Sequence, residues 1–471
     1  MRDVNRFDFS QGHSGGVGMN VSFFQELLSR ISDRGRQILD LSSLIGAGGE
    51  ETFESMCRAL VSSRGEASGV ALARRILDYY KNADDEEKDA IFSFLATGFA
   101  PDPGAIQAAA KQYLENPSPL ALDHLALSVE SKRQELLRRL NLAPGGTAAL
   151  VRMREDLLPR LHPDLAPVDR DFVHLFNSWF NRGFLVLVRI AWSTPASILE
   201  KIIAYEAVHE IKGWEDLRRR LDPHDRRCFA FFHPALVDEP LIFVEVALGN
   251  EIPGSIQTLL ESDGGPENAD PEPAVAVFYS ISNCQKGLRG ISFGNFLIKQ
   301  VVEDLTKELP SLRTFVTLSP VPAFKSWFYR AFDSGGLPYL TEPQKRQIEK
   351  MRSEGWSEDE EVQDELGPAI SAAAAHYFLL AKDRSGKPLD PVARFHLGNG
   401  ARLERINWLG DTSEKGVQQA LSLMVNYRYD LRDIERNHEA YVNNGTVTAS
   451  KSVRSLLLLP EKARALVPAQ E

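Results

Sequence analysis

Residues Val275–Trp327 read VAVFYSISNCQKGLRGISFGNFLIKQVVEDLTKELPSLRTFVTLSPVPAFKSW, and this stretch decides the fold. The apolar run Val275–Ser282 predicts a strand. It leads into a loop with glycines at 287, 290 and 294, then an amphipathic helix, then a second strand over Thr314–Leu318 that stops at Ser319-Pro320. Leu297, Val301, Leu305 and Leu309 recur at every fourth position, the buried stripe of a helix, which gives these four a core role. Strand, glycine loop, helix and strand together make a recurring cradle for a phosphorylated ligand. The glycines let the backbone approach phosphates, and the helix N-terminus offers free N–H groups and the positive end of its dipole. The serine where the second strand ends then stands ready to meet the far end of such a ligand.

The chain around this unit has 471 residues, enough for two or three domains. Hydrophobic residues make up 43% and charged residues 25%, the mix of a globular protein with a large core. A net charge of −11 argues against nucleic acid as a partner, and Lys286, Arg289 and Lys299 form a local basic exception around the glycine loop. Cys57, Cys228 and Cys284 are far apart and form no CxxC pair, so neither a disulfide framework nor a zinc site is indicated. No apolar run approaches the ~20 residues needed to span a bilayer. The opening MRDVNRFDFSQGHSGG lacks the apolar segment of a signal peptide, and the final PAQE is no address signal. The expectation is a cytoplasmic protein with no membrane partner.

The N-terminal third reads as all-helical. Residues 1–20 are polar and glycine-rich and read as disordered, and Ser22-Phe-Phe-Gln25 has the form of a capping box opening a first helix. From there to about residue 180, segments rich in Ala, Leu, Arg and Glu are punctuated at Pro101–Gly104, Asn116–Pro119 and Pro144–Gly146, without period-two alternation. The pattern changes near Gly183. Strand-like runs at Phe184–Ile190, Cys228–Phe232 and Leu241–Leu248 alternate with helical ones such as Ile198–Val208. Residues 335–370 are polar and acidic and read as a helical insertion, with the acidic run 357–365 as its solvated face. Val392–Leu397 and Ala401–Leu409 flank Gly398-Asn399-Gly400 and read as a hairpin, and a helix is expected over Ser413–Val425. The fold class is therefore α+β, with a helical domain over 1–180 and a mixed α/β domain over 181–471.

Three residues stand out for chemistry. Ser319 ends a strand before a proline-stiffened turn, without the GxSxG elbow of a hydrolase; alone, such a serine is as readily a turn cap. His396 sits just before the apparent hairpin turn, where an imidazole suits proton transfer near neutral pH, although a structural role is common for such a histidine. His162, His174, His209, His224, His233 and His376 compete with it, and no HExxH or paired-ligand spacing points to a metal. Tyr429, in the run Asn426-Tyr-Arg-Tyr429, can donate a hydrogen bond to a carbonyl oxygen or orient a partner, or serve as a buried aromatic. The loop Gln285–Gly294 lacks both the GK[ST] and GxGxxG orders and suits the loop by which acyl-CoA acetyltransferases grip the pyrophosphate of CoA. A plain glycine-rich turn is the competing reading.

At these residues the sequence resembles malonyl-CoA decarboxylases. The resemblance runs from about His162 to Arg432 through blocks in matching order. They are FNSWFNRGFLVLVRIAW (176–192), AYEAVHEIKGWEDLRRRL (204–221), FYSISNCQKGLRGISFGNFLIK (278–299), TLSPVPAFKSW (317–327), DPVARFHLGNG (390–400), ERINWLGD (404–411) and LMVNYRYDL (423–431). The resemblance implies a helical oligomerisation domain, giving a homodimer or homotetramer, followed by a catalytic domain of acyl-CoA N-acetyltransferase type. It implies conversion of malonyl-CoA to acetyl-CoA and carbon dioxide without cofactor, whether metal, biotin or pyridoxal phosphate. Carried over by motif, the catalytic residues fall on Ser319, His396 and Tyr429. The CoA-binding loop falls on Arg289, Gly290, Ile291, Ser292, Phe293, Gly294 and Asn295. Family members can carry Glu where Ser292 stands, so no carboxylate role transfers to that position. A CoA-dependent acetyltransferase and a non-catalytic acyl-CoA sensor are the alternatives.

Overall fold

The proline punctuation of the N-terminal third opens helices. Asp102 accepts from Gly104 N to cap the helix Pro103–Glu115, and Ser118 accepts from Ala121 N to cap Pro119–Val129. In both, proline occupies the first turn, where its missing N–H costs nothing. Asp84 and Glu87 close a reciprocal capping box ahead of the helix Asp85–Gly98. The computed structural model describes residues 52–62, 66–180, 182–236, 238–261, 272–291, 297–352 and 356–457, so the Ser22–Gln25 capping box lies outside them. The chain divides into two compact units, with described residues drawn from Met1–Leu175 and Pro234–Val237 in one, and from Phe176–His233 and Asp238–Glu471 in the other. The first is helical, and inside it Asp171 ties the start of the helix Lys132–Asn141 to the core by accepting from Ser131 Oγ at 2.8 Å and Arg133 Nε at 2.7 Å.

The second unit is built on a mixed eight-stranded sheet. Its strands are β1 (Val186–Ile190), β2 (Arg226–Phe232), β3 (Pro240–Gly249), β4 (Val275–Asn283), β5 (Thr314–Thr317), β6 (Ser319–Pro320), β7 (Arg402–Asn407) and β8 (Met424–Tyr429). The order is β1-β2-β3-β4-β5-β8-β6, with β7 paired to β8. All pairs are antiparallel except β4 with β5, which are joined through the helix Leu297–Glu308. The strand–loop–helix–strand unit expected from the sequence is therefore present, within the α+β organisation expected. Leu297, Val301 and Leu305 are buried in its helix as the stripe requires, whereas Leu309 lies one residue past the helix end and is half-buried, because Pro310 stops the turn there.

Two expectations need correction. Val392–Leu397 is not a hairpin strand: it belongs to the helix Pro391–Gly398. Asp390 caps that helix by accepting from Ala393 N at 2.8 Å, and Pro391 occupies its first position. The Asn399-Gly400 pair closes the helix, and Gly400 has φ +81° with a Cβ there falling 2.2 Å from Ile434 O. Only glycine fits. β7 instead pairs with β8. The helix expected over Ser413–Val425 ends at Ala420, because Leu421 and Ser422 take positive φ and the chain turns into β8. Sheet pairing of β8 on both sides outweighs the local helical pattern.

One face of the sheet carries two buried apolar clusters. The first includes Leu199, Ile202, Leu217, Cys228 and Phe243, and the second includes Ala247, Ile256, Val277, Val316 and Leu318. On β3, Glu245 alternates between Phe243 and Ala247, so it points into the seam between them. There Arg220 Nη1 donates to Glu245 Oε2 at 3.1 Å, with both residues almost wholly buried. Burial pushes the Glu245 carboxyl up to about 8, with the Arg220 guanidinium pulling the other way. Truncating Arg220 leaves the buried Glu245 carboxyl without its guanidinium donor, whereas truncating Glu245 leaves Arg220 donating to Glu210 O at 3.0 Å and Asp216 Oδ2 at 3.4 Å. We expect Arg220→Ala to lose about 3–5 kcal/mol of unfolding free energy and Glu245→Ala less. In urea titrations the paired replacement Arg220→Met/Glu245→Leu should stand above both single variants.

Candidate active site

β5 and β6 are one chain path broken at Leu318, whose N–H donates to Phe278 O at 2.9 Å. After the break Ser319 pairs with Val425 of β8. Upstream, Phe315 pairs with Tyr429 and Val316 with Arg428. β8 thus spans both halves and carries two tyrosines past the break. The helix Pro391–Gly398 delivers His396 from the other direction.

The three residues singled out from the sequence meet here. Ser319 Oγ lies 3.1 Å from His396 Nε2, and His396 Nδ1 lies 2.8 Å from Tyr429 OH. All three are buried. The ring of Tyr427 stacks on the imidazole at 4.6 Å between centroids and 24° between planes. Burial pushes His396 down to about 3, and pushes the Tyr429 hydroxyl well above its usual value. At neutral pH the imidazole is therefore uncharged, one ring nitrogen bearing a proton and the other a lone pair. The sequence placed this histidine near a strand end; it stands on a helix, with its Nδ1 hydrogen-bonded to Tyr429 OH.

Sequence reasoning missed the groups beneath the constellation. Thr317 Oγ1 lies 2.8 Å from Ser319 Oγ and accepts from Tyr427 N at 3.1 Å. Asn426 Nδ2 donates to Thr317 O at 2.8 Å, while Asn426 Oδ1 accepts from Asn407 Nδ2 at 2.9 Å and Arg405 Nε at 3.1 Å. Arg405 reaches on to Ile252 O at 2.8 Å. The signal was available in Asn426-Tyr-Arg-Tyr429 and Arg405-Ile-Asn407, since alternate positions of two paired strands share a face. Polar residues repeating on one buried face require partners there.

Of the expected CoA loop, Arg289, Gly290 and Ile291 are described, and Ser292, Phe293, Gly294 and Asn295 lie outside the described residues. The loop leaves β4 through Gln285, whose Nε2 donates to Pro240 O at 3.1 Å, then makes a short 3-10 turn over Lys286–Leu288. Gly290 has φ +81° and open space where a Cβ would stand. Among the described residues, no group of three or more His, Cys, Asp or Glu side chains is placed to hold a metal, and no helix is long and apolar enough to cross a membrane.

Comparison with known proteins agrees with the resemblance read from the sequence. Residues 183–467 match the sequence model of the malonyl-CoA decarboxylase C-terminal domain, and residues 99–180 that of the N-terminal domain. The chain belongs to the malonyl-CoA decarboxylase family. It is 36% identical over 362 residues to the mitochondrial malonyl-CoA decarboxylase of Anser anser anser, covering 72% of this chain and 71% of that protein. With the mitochondrial enzyme of Rattus norvegicus the identity is 33% over 409 residues, 80% of this chain and 82% of the relative. Crystal structures of malonyl-CoA decarboxylase from Rhodopseudomonas palustris and Agrobacterium vitis superpose with TM-scores of 0.81 and 0.82 at 54% and 53% identity. Each covers 86% of this chain, with 98% and 99% of the respective relative matched. As a member of this family the chain is an enzyme that acts as a decarboxylase.

The state of His396 has a measurable consequence. Its folded pKa lies below the unfolded value, so between about 6.5 and about 3 the unfolded chain binds the proton that the folded chain refuses. The stability it contributes is present above that window and lost as pH falls through it. The melting temperature should drop on acidification from pH 7 to pH 5, and less steeply in His396→Gln. The pH profile of kcat should show no inflection near 6.5 that disappears with this variant.

Proposed function

We propose that this protein converts malonyl-CoA to acetyl-CoA and carbon dioxide by cofactor-free decarboxylation through a thioester enolate. The observation that carries the reading is the buried line Ser319–His396–Tyr429, a hydroxyl, a neutral imidazole and a phenol within hydrogen-bond reach of one another. Breaking the bond to the carboxylate leaves its electron pair on the carbon beside the thioester carbonyl. The carbonyl delocalises that pair as an enolate, so the substrate is its own electron sink.

The chain has three tasks in this reading. The loop from Arg289 and the start of the helix Leu297–Glu308 anchor the CoA phosphates. Hydrogen-bond donors fixed in a dry site stabilise the enolate oxygen, the largest electrostatic contribution expected for such chemistry. Ser319 contacts the malonyl carboxylate. A proton then reaches the carbon from the Nε2 end of His396, directly or through the Ser319 hydroxyl, while the Tyr429 phenol holds Nδ1, and a solvent proton returns to Nε2 after carbon dioxide has left. One carbon–carbon bond is exchanged for one carbon–hydrogen bond, and one solvent proton is consumed per carbon dioxide released.

The neutral imidazole supports this relay over an imidazolium acid. Purified protein should form acetyl-CoA from malonyl-CoA with a chelator present and no added cofactor, and product made in deuterated water should carry one deuterium in its methyl group. His396→Ala should reduce kcat by about 10²–10⁴-fold, the usual range for general acid–base catalysis. Unchanged turnover in that variant would remove the histidine from the mechanism. Transfer of labelled acetyl to an amine acceptor would favour the acetyltransferase reading, and tight CoA-ester binding without carbon dioxide release the sensor.

A homodimer or homotetramer formed through the helical unit belongs to the same proposal. Its support is the helical pair Pro103–Glu115 and Pro119–Val129, which leaves Leu114 78%, Leu120 80% and Leu127 70% exposed. Apolar side chains exposed in a group of this kind mark interaction surfaces. Light scattering should report a mass above one chain, falling to a smaller species in Leu114→Glu/Leu120→Glu/Leu127→Glu; a wild-type monomer would overturn this part of the proposal.

A further inference from the structure

One hydrogen bond beneath the constellation cannot reverse, and the geometry assigns the direction of a second. The backbone N–H of Tyr427 can only donate, and it does so to Thr317 Oγ1 at 3.1 Å. Ser319 Oγ donates to the same oxygen at 2.8 Å. A hydroxyl oxygen has two lone pairs, so these two donors fill Thr317 Oγ1. Ser319 has a single proton, and it is committed to Thr317. The contact between Ser319 Oγ and His396 Nε2 at 3.1 Å must then run the other way, with Nε2–H donating to the serine oxygen. A neutral ring carries one N–H, so Nδ1 is an acceptor and the Tyr429 phenol donates to it at 2.8 Å.

We propose that Thr317 is a positioning residue that holds His396 in its Nε2–H tautomer, so that every proton in the line points from Tyr429 toward Ser319. The inference deepens the decarboxylase reading and rests on it only for its kinetic consequence. Thr317 is fully buried, so solvent cannot stand in for its oxygen. Its backbone is held on one side by Asn426 Nδ2 at 2.8 Å, and the next residue, Leu318, is held by Phe278 O at 2.9 Å. The acceptor that fixes the Ser319 proton is therefore itself fixed by two neighbouring strands. Without the Thr317 oxygen the Ser319 proton turns toward Nε2, the ring takes the Nδ1–H form, and the Tyr429 hydroxyl becomes an acceptor. The line then runs away from the reacting carbon. Imidazole in the wrong tautomer is costly: in a Ser-His-Asp triad it lowers kcat by about 10⁴-fold.

The test is nitrogen-15 NMR of histidine-labelled full-length protein, with the His396 signals identified by their loss in His396→Gln. Two-bond proton–nitrogen patterns separate the two tautomers. Wild type should show Nε2–H. Thr317→Val keeps the shape and removes the oxygen, and it should show Nδ1–H with kcat lower by about 10²–10⁴-fold and a KM for malonyl-CoA little changed. Thr317→Ser restores the hydroxyl and should return the Nε2–H signal with most of the activity. A wild-type Nδ1–H ring overturns the proposal, as does an unchanged tautomer in Thr317→Val. Should the valine variant fail to fold, Thr317→Ala, which also removes the oxygen, makes the same test by the same signals. A protein that shows the tautomer switch yet releases no carbon dioxide sinks the decarboxylase reading alone; one that turns over malonyl-CoA without the switch sinks only this inference.

Discussion

The pairing of β8 against the broken path of β5 and β6 is the constraint on which the site depends. Through it one strand sets four groups at once: Tyr429 against His396 Nδ1, the Tyr427 ring against the imidazole face, the Tyr427 N–H on Thr317, and Asn426 on the Thr317 carbonyl. The break at Leu318 is what lets Thr317 and Ser319, two residues apart, both take part in one hydrogen-bonded line. An unbroken strand would place those two side chains about 7 Å apart along one face. The 2.8 Å contact between their hydroxyls needs the local departure from strand geometry at Leu318, where β5 ends and β6 begins.

This explains why the fold was largely legible in the sequence while the floor of the site was not. Local signals sufficed where the chemistry is local. The four-residue apolar repeat after the glycine loop gave the helix Leu297–Glu308, and the continuous apolar runs gave β2, β3 and β4, which are buried along nearly their whole length. Local signals failed where a distant strand decides. Val392–Leu397 and Ala401–Leu409 look like the arms of a hairpin until Asp390 is read as a cap and Gly400 as the only residue that fits beside Ile434. The second fact is tertiary; the first is local, and the Asp390-Pro391 pair was the helix-start signal that was passed over. The segment after Ala420 fails in the same way, since Met424–Tyr429 has a strand's pattern only once β5, β6 and β7 are there to pair with it.

The meeting of Ser319, His396 and Tyr429 was legible because motif blocks name residues without needing geometry. Ser319, His396 and Tyr429 lie far apart in the chain, and no periodicity connects them; the blocks around them did. Thr317 sat inside one of those blocks and was passed over, because a threonine in a β-strand is unremarked on propensity alone. Its role is visible only when the direction of each hydrogen bond is followed from a donor that cannot reverse, the Tyr427 amide. The loop after β4 is legible in part: it leaves the strand through a 3-10 turn and takes positive φ at Gly290, as a glycine loop requires.

The polarity of the constellation also bears on why a decarboxylase would bury it. Thr317, Ser319, His396, Tyr427 and Tyr429 are all uncharged at neutral pH, the histidine because burial holds it so. A substrate carboxylate brought beside them exchanges water for fixed dipoles, in a medium where each hydrogen bond is worth more than in solvent. In the proposed reaction the negative charge passes, as carbon dioxide leaves, from that carboxylate to the thioester oxygen. A charged imidazolium or lysine at the carboxylate end would stabilise the charge where the reaction starts and oppose its departure. Neutral donors hold the carboxylate in place without that penalty and leave the stabilising contacts for the enolate, the only arrangement in which binding energy lowers the barrier instead of deepening the ground state. On this view the low basicity of His396 serves the reaction twice: it keeps positive charge away from the leaving carboxylate, and it leaves the ring's one proton on Nε2, facing Ser319, while Tyr429 holds Nδ1.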